Sequence, residues 1–406
     1  MVMHYLFMGL FCDKNREAEY LAKARRGVQG AVNTFQWNLL DGFAAHGADM
    51  TVLNTMPVGV FPNNYRQLFF EKKTWKYENF PCTEIGFLNL PMIKQEMREH
   101  GYFQAAKQWV KDTPGEKTIL IYSLYGPCLR ATARLKRRYP DVKVCVIVTD
   151  LPGRYGVQRS KLKMWYDSRS LEQLNHIDSF VLLTEQMTGP LQVGDRPYVV
   201  VEGICNPNAG QDTVDVPEKK KAVLYTGSLN PVYGILDLVS AFEQIKTPDW
   251  ELWICGKSGA EMEIRRRAEA DPRIKYMGYR TKQEVYALQK QASLLVNPRK
   301  NEGEYTKYSF PSKTMEYMIS GTPVLMYALD GVPKAYHKYG YFIGTEGLDS
   351  LEDGLCYAMH CSEEKRAQRG EAARCFVLHE KNSKVQAGKI LTLLERQKKV
   401  LEIDYL

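Results

Sequence analysis

Between Arg299 and Glu316 the chain gathers four cations (Arg299, Lys300, Lys307, Lys313), two serine hydroxyls (Ser309, Ser312) and, just inside the helix that follows the loop, a single carboxylate, Glu316. Cations beside the start of a helix suit a phosphate or diphosphate, because the helix adds unpaired amide groups and the positive end of its macrodipole. An ionised carboxylate accepts hydrogen bonds and donates none, so the adjacent 2′ and 3′ hydroxyls of a ribose are a fitting partner for Glu316. An equally good local account makes Glu316 an acidic residue favoured near a helix start, with Lys313 as its ion-pair partner.

The elements that must position these groups are legible on either side. Leu294, Leu295 and Val296 end at Asn297-Pro298, an apolar run closed by a breaker, as in a buried parallel strand whose carboxyl end faces a ligand crevice. Pro311 suits the first turn of a helix, Ser309 or Ser312 can cap it, and Gly321 followed by Pro323 stops it. Met315, Met318, Ile319 and Thr322 recur at helical spacing and face the core, while Ser312, Lys313 and Glu316 share another face.

The run Ser309-Phe310-Pro311-Ser312-Lys313-Thr314-Met315-Glu316, followed by Gly321-Thr322-Pro323-Val324, resembles the donor-binding segment of retaining GT-B glycosyltransferases of the family 4 type. The resemblance is specific from Ala222 to Tyr327 and architectural before that. It implies that Glu316 is the ribose ligand, the second of two signature glutamates separated by seven residues. Tyr308 stands where the first would fall, with Glu302 and Glu304 out of register in a lengthened loop. The family's diphosphate-gripping arginine and lysine are replaced by Ser228 and Tyr233. Arg299 and Lys307 are the natural substitutes, with the Gly227 backbone and the helix start near Ile235 as further amide donors. Tyr279, directly after the strand Ile274 to Gly278, is placed where the family holds the nucleotide base, and a packing role would account for it equally well. Thr281 to Glu284 forms a capping box.

Length and composition agree. A chain of 406 residues favours two domains. Hydrophobic content of 44% and charged content of 25% are ordinary for a globular protein, and a net charge of +8 suits anionic substrates or an anionic membrane surface without demanding nucleic acid. The nine cysteines form no zinc-type pairs and read as reduced thiols of a cytoplasmic protein. No apolar run is long enough to cross a membrane, so any membrane contact is peripheral, at the inner face.

Val2 to Phe11 reads as the first strand rather than a signal peptide. Arg25, Arg26, Gly27 and Gly30 follow, then an amphipathic stretch from Val32 to His46, with His46 as a cap before Gly47. The three-glycine dinucleotide fingerprint is missing, which argues against an NAD site. Strand-like runs at Met50 to Leu53, Thr118 to Tyr122, Val142 to Val148, Phe180 to Leu183 and Tyr198 to Val201 alternate with helical segments, the pattern of a parallel sheet wrapped by helices. Asp150 closes one run, where it would line a ligand crevice as an acceptor ligand or base, or cap the turn before Pro152. Basic stretches at Ala131 to Arg138 and Arg154 to Arg169 fit a solvated face better than an anionic lipid surface. No Ser-His-Asp set and no metal-binding cluster is spelled out.

The fold these observations predict is α/β, with two Rossmann-like domains: residues 1–205 on the acceptor side, residues 206–384 holding the nucleotide sugar, and a tail helix, 385–406, which the resemblance returns to the first domain. The activity it implies is metal-independent transfer of a hexosyl or related group from a nucleotide diphosphate sugar to a hydroxyl of a glycan or lipid-linked acceptor. Donor-side contacts would be Gly227, Ser228, Tyr279, Arg299, Lys307, Ser309, Ser312, Lys313 and Glu316. Asp150, Arg299 and Lys307 would act on the reacting groups. A 2-epimerase of sugar nucleotides and a basic nucleic-acid-binding protein are the alternatives. The first should need several acid-base side chains and the second a gathered basic motif, neither of which is spelled out.

Overall fold

The computed structural model, which describes residues 3–25, 30–151, 168–205, 218–344 and 348–403, holds sixteen strands among those residues, most of them apolar runs bounded by turns. Packing divides the chain into two units, one formed by Met1–Ile204 with Ser383–Leu406 and the other by Cys205–Asn382. Gly27 and most of the Arg154 to Arg169 stretch lie outside the described residues.

In the first unit, β1 (Met3–Gly9), β2 (Asp49–Asn54), β7 (Glu116–Tyr122), β8 (Lys143–Val148), β9 (Ser179–Leu182) and β10 (Tyr198–Val200) pair in parallel. The sheet order is β10-β9-β8-β7-β1-β2-β5-β4. Its far edge departs from the parallel expectation. β4 (Lys73–Tyr77) and β5 (Phe80–Glu84) form an antiparallel hairpin, and β3 (Phe69–Phe70) with β6 (Phe87–Leu88) a separate antiparallel ribbon. Lys73 and Lys76 on the outermost strand are exposed, and charge of this kind keeps an open edge from pairing with another chain. Helices α1 (Glu17–Lys23), α2 (Gly30–Ala45), α3 (Ile93–Asp112) and α4 (Gly126–Arg138) fill the connections. On α4 the basic face is largely engaged. Lys136 pairs with Asp178 at 2.6 Å, Arg137 donates to Gln173 and the Arg134 guanidinium lies 4.1 Å from the Phe103 ring centre, which leaves little of the face for lipid.

In the second unit, β11 (Lys220–Ser228), β12 (Glu251–Lys257), β13 (Ile274–Gly278), β14 (Ala292–Asn297), β15 (Val324–Tyr327) and β16 (Tyr341–Ile343) form a wholly parallel sheet in the order β13-β12-β11-β14-β15-β16. Its crossovers are α5 (Ile235–Gln244), α6 (Glu261–Ala270), α7 (Lys282–Gln291) and α8 (Ser312–Ile319), followed by α9 (Leu351–His360) and α10 (Glu363–Glu380). On α5, Ile235, Leu238, Val239 and Phe242 recur at spacings of three and four and are buried with Val223, Leu252 and Leu294 of the strands.

The last helix, α11 (Ser383–Ile403), belongs to the first unit and lies along α2. A Cβ on Gly42 would come within 2.1 Å of the Ser383 carbonyl oxygen, so only glycine permits this approach. His46 does not cap its own helix as expected. Its ring Nε2–H donates to the Lys384 carbonyl at 2.7 Å, an acceptor far along the chain that local sequence cannot reveal. No helix among the described residues is long and apolar enough to cross a membrane.

All nine cysteines are free, and six of them are buried. Burial pushes the thiols of Cys82 and Cys255 up to about 11 and those of Cys12, Cys145 and Cys205 up to about 12, and raises Cys128 as well. A raised folded value means stability that is full below the unfolded thiol's pKa near 9 and lost as pH climbs through the folded value. Each such thiol removes up to about 1.4 kcal/mol per pH unit in that window, with four of the six in the first unit and two in the second, against a typical domain stability of about 5–15 kcal/mol. Lys94 in the first unit and Lys219 in the second, both lowered to about 8 by burial, oppose this between about pH 8 and 10.5, but they face four buried thiols and two respectively. The melting temperature should therefore fall steeply from pH 9 to 11 under reducing conditions. A flat or rising melting curve over that range would contradict the assignment.

Candidate active site

In an open parallel sheet, ligands collect outside the carboxyl ends of the strands where the strand order reverses. In the second unit that point lies between β11 and β14, since β12 and β13 follow on one side of the pair and β15 and β16 on the other. The chain is thinned here to bare backbone. A Cβ on Gly256 would sit 1.9 Å from the Gly227 carbonyl oxygen, and one on Gly227 would sit 2.7 Å from Cε of Lys313 and 3.1 Å from the Tyr225 hydroxyl. Lys313 is thus laid across the end of β11. The Tyr225 hydroxyl donates to the Ser228 carbonyl at 2.7 Å and fixes the turn, while Ser228 itself is exposed. Behind the turn, the buried Tyr317 hydroxyl accepts from the Thr226 amide at 3.0 Å and donates to its carbonyl at 3.1 Å, which ties α8 to β11.

The start of α8 differs from expectation. Its N-cap is Pro311, and no side chain caps it. Ser309 is buried and engaged elsewhere, accepting from Arg299 Nη2 at 2.9 Å and donating to the Tyr305 carbonyl at 3.0 Å. Ser312 is already inside the helix and exposed. The Thr314 amide donates to the Pro311 carbonyl at 2.9 Å, so within the first turn it is the Ser312 and Lys313 amides that keep their donor capacity.

The cations of the loop before α8 separate into different states. Arg299 is half-buried, its guanidinium 4.8 Å from the Tyr305 ring centre, and its Nε has no partner among the described residues. Lys307 is exposed just beyond a short 3-10 turn, Glu304–Thr306. Lys300 is committed, with Asp237 at 3.0 Å and Glu302 at 3.9 Å, and this pairing raises its pKa. Spacing alone grouped it with its neighbours, because Asp237 lies on a distant helix. Asn301 and Asp330 exchange two hydrogen bonds that hold the loop against the segment after β15.

Glu316 is exposed on α8 one turn beyond Ser312, and its Oε1 accepts from Nε2 of Gln289 at 2.7 Å. Gln289 sits on α7 with no exposed surface. Sequence reasoning missed it. Its only local signal is a glutamine four residues after Val285 near the end of an amphipathic helix. Tyr279 is 70% exposed, with Lys257 Nζ 4.7 Å from its ring centre, so it does not serve to pack the core. The Thr281–Glu284 capping box is present, and Arg280 lies 3.5 Å from Glu284. Tyr233 is part of a 3-10 turn whose following residue, Gly234, has φ +77° and abuts the Pro298 carbonyl. Asp150 belongs to the first unit, exposed two residues beyond β8. Among the described residues no group of three or more His, Cys, Asp or Glu side chains could hold a metal ion.

Residues 211–376 match the family model for glycosyl transferases group 1. Solved structures match over nearly the whole chain. Sucrose-phosphate synthase from Thermosynechococcus elongatus is 16% identical with a TM-score of 0.63, over 98% of this chain and 100% of its own. The α,α-trehalose 6-phosphate synthase from Burkholderia multivorans is 10% identical with a TM-score of 0.64, over 99% and 100%. The chain has the GT-B fold, and its second unit carries a glycosyltransferase domain of group 1. A third GT-B structure, the E. coli trehalose-6-phosphate protein bound with UDP-2-fluoro glucose, is 12% identical with a TM-score of 0.60, over 96% and 98%. No curated protein matches the sequence. In this glycosyltransferase the matched segment contains every residue placed around the β11–β14 switch point, from Gly227 to Glu316.

Proposed function

We propose that this glycosyltransferase is a retaining enzyme of the family 4 type, which moves a hexosyl or related group from a nucleotide diphosphate sugar to a hydroxyl of a glycan or lipid-linked acceptor. The observation that carries the reading is Lys313 laid over Gly227 at the switch point, with Glu316 one turn further along the same helix. The diphosphate would lie across the Gly227 backbone and the first-turn amides of α8, and the ribose would reach the Glu316 carboxylate. As the bond from the sugar's anomeric carbon to the phosphate oxygen breaks, negative charge grows on the leaving diphosphate. Arg299, Lys307 and Lys313, with the helix start, stabilise it there. The acceptor oxygen bonds to the same face of the anomeric carbon, and its proton passes to the departing phosphate oxygen. No protein base or metal is needed for that balance. Asp150 would then act as a ligand of an acceptor hydroxyl. The base would meet Tyr279, whose exposed ring is held beside Lys257.

The test is a calorimetric panel of uridine, guanosine, adenosine and thymidine diphosphates and their sugars. With the preferred nucleotide identified, Arg299→Ala and Lys307→Ala should each weaken diphosphate binding roughly ten- to a hundredfold, since a hydrogen bond to a charged group is worth about 1.5–3 kcal/mol. Binding of the bare nucleoside should change little. Unchanged diphosphate affinity in both variants would return these side chains to the solvated surface.

A further inference from the structure

Gln289 has no exposed surface, yet it lies on none of the strand ends or loops where ligand groups gather. Its amide is used at one end only. Nε2 donates to Glu316 Oε1 at 2.7 Å, while its own Oε1 is buried with no partner among the described residues. The carboxylate can only accept, so the amide nitrogen must be the atom that faces it. The backbone beneath is pinned as well, since the Gln289 carbonyl accepts from the Thr322 hydroxyl at 2.7 Å, and that hydroxyl accepts from Lys219 Nζ at 2.7 Å. For folding alone an apolar side chain of the same volume would serve this position better, because an unsatisfied buried carbonyl is a cost. Its compensation is the grip on Glu316.

We infer that Gln289 is a positioning residue for nucleotide recognition: from inside the fold it fixes the rotamer of the Glu316 carboxylate so that the remaining acceptor sites face the paired hydroxyls of a ribose. The inference rests on the proposed role of Glu316. An exposed glutamate on a helix surface ordinarily samples several rotamers, and ordering it at the moment of binding lowers affinity. A buried donor at hydrogen-bond distance removes that freedom beforehand. It also occupies one oxygen, Oε1, and so directs the other toward the ligand. The consequence is selectivity for a ribonucleotide over its dideoxy counterpart, and this selectivity should depend on a residue that does not touch the ligand.

The experiment compares the affinity of the preferred nucleoside diphosphate with that of its 2′,3′-dideoxy form, by calorimetry, in the parent and in Gln289→Met. Methionine keeps the length and volume of glutamine without the donor. The parent should favour the ribo form by a hundredfold or more. Gln289→Met should lose about tenfold of that preference, through weaker binding of the ribo form with the dideoxy form unchanged. Its melting temperature should equal or exceed the parent's, which a merely structural role would not produce. Gln289→Asn, too short to reach Glu316, provides the same ratio if the methionine variant is poorly folded. A ratio in either variant equal to the parent's overturns the positioning role and leaves the ribose–carboxylate reading standing. A parent that binds no nucleoside diphosphate, or binds both forms equally, overturns the reading of Glu316 and the inference with it.

Discussion

A chain ending after Gln386 is expected to lose the folded first unit, although the residues removed form a single helix at the far end of the sequence. Ala387 and Ile390 have no exposed surface, and Leu393 and Leu394 are 8% and 2% exposed. All four belong to the core that holds Phe7, Leu39, Leu40 and Phe43. Burying an Ile or Leu side chain contributes about 1.5–3 kcal/mol, so the three large ones alone supply about 5–9 kcal/mol. A domain's whole stability is about 5–15 kcal/mol. The cut also uncovers the α2 face that Gly42 keeps flat for close approach. Circular dichroism should show the first unit melting far below the parent or already unfolded at room temperature, with transfer lost. Ile390→Ala grades the effect, at about 2–5 kcal/mol. A truncated protein that melts and turns over like the parent would show that α11 is dispensable.

The parts of this architecture that sequence disclosed are those determined by neighbours in the chain. The run from Leu294 to Val296 closed by Asn297-Pro298 became β14, and Gly321, at φ +75°, ends α8 as its lack of a Cβ predicts. Thr281 and Glu284 cap each other across a single turn, so their pairing was readable as a motif. A parallel α/β sheet follows from apolar runs alternating with helical periods, and that pattern survives without any long-range knowledge.

What stayed hidden depends on partners far apart in sequence. Lys300 looked equivalent to Arg299 until α5 brought Asp237 to it. Ser309 has the right residue type and nearly the right place for an N-cap, but Arg299 and the Tyr305 carbonyl claim its hydroxyl and leave Pro311 in the capping position. The β4–β5 hairpin escaped because Lys73 to Tyr77 is a polar edge strand without an apolar run to betray it. Gln289 was the least legible of all. A glutamine on a helix is ordinarily solvated, and only the packing of α7 beside α8 converts it into a buried donor.

Glu316→Gln separates the two local accounts of that carboxylate most sharply. A charge near a helix start contributes about 0.3–1 kcal/mol to stability and nothing to a ligand. A carboxylate accepting two ribose hydroxyls contributes about 1.5–3 kcal/mol per hydrogen bond to binding. The substituted amide can still offer its oxygen to Nε2 of Gln289, so the internal contact survives, and Glu316 is exposed, so the fold has little else to lose. What turns toward the ribose is then an amide donor where an acceptor is required. The free protein should melt within a degree or two of the parent, while nucleotide-sugar affinity falls a hundredfold or more, and transfer should be lost with or without a metal chelator. The asymmetry between an unmoved melting temperature and a collapsed affinity is what a helix-end charge cannot produce. A variant that binds its nucleotide sugar as tightly as the parent would remove Glu316 from the site, and the ribose would have to be sought elsewhere along the β11–β14 switch point.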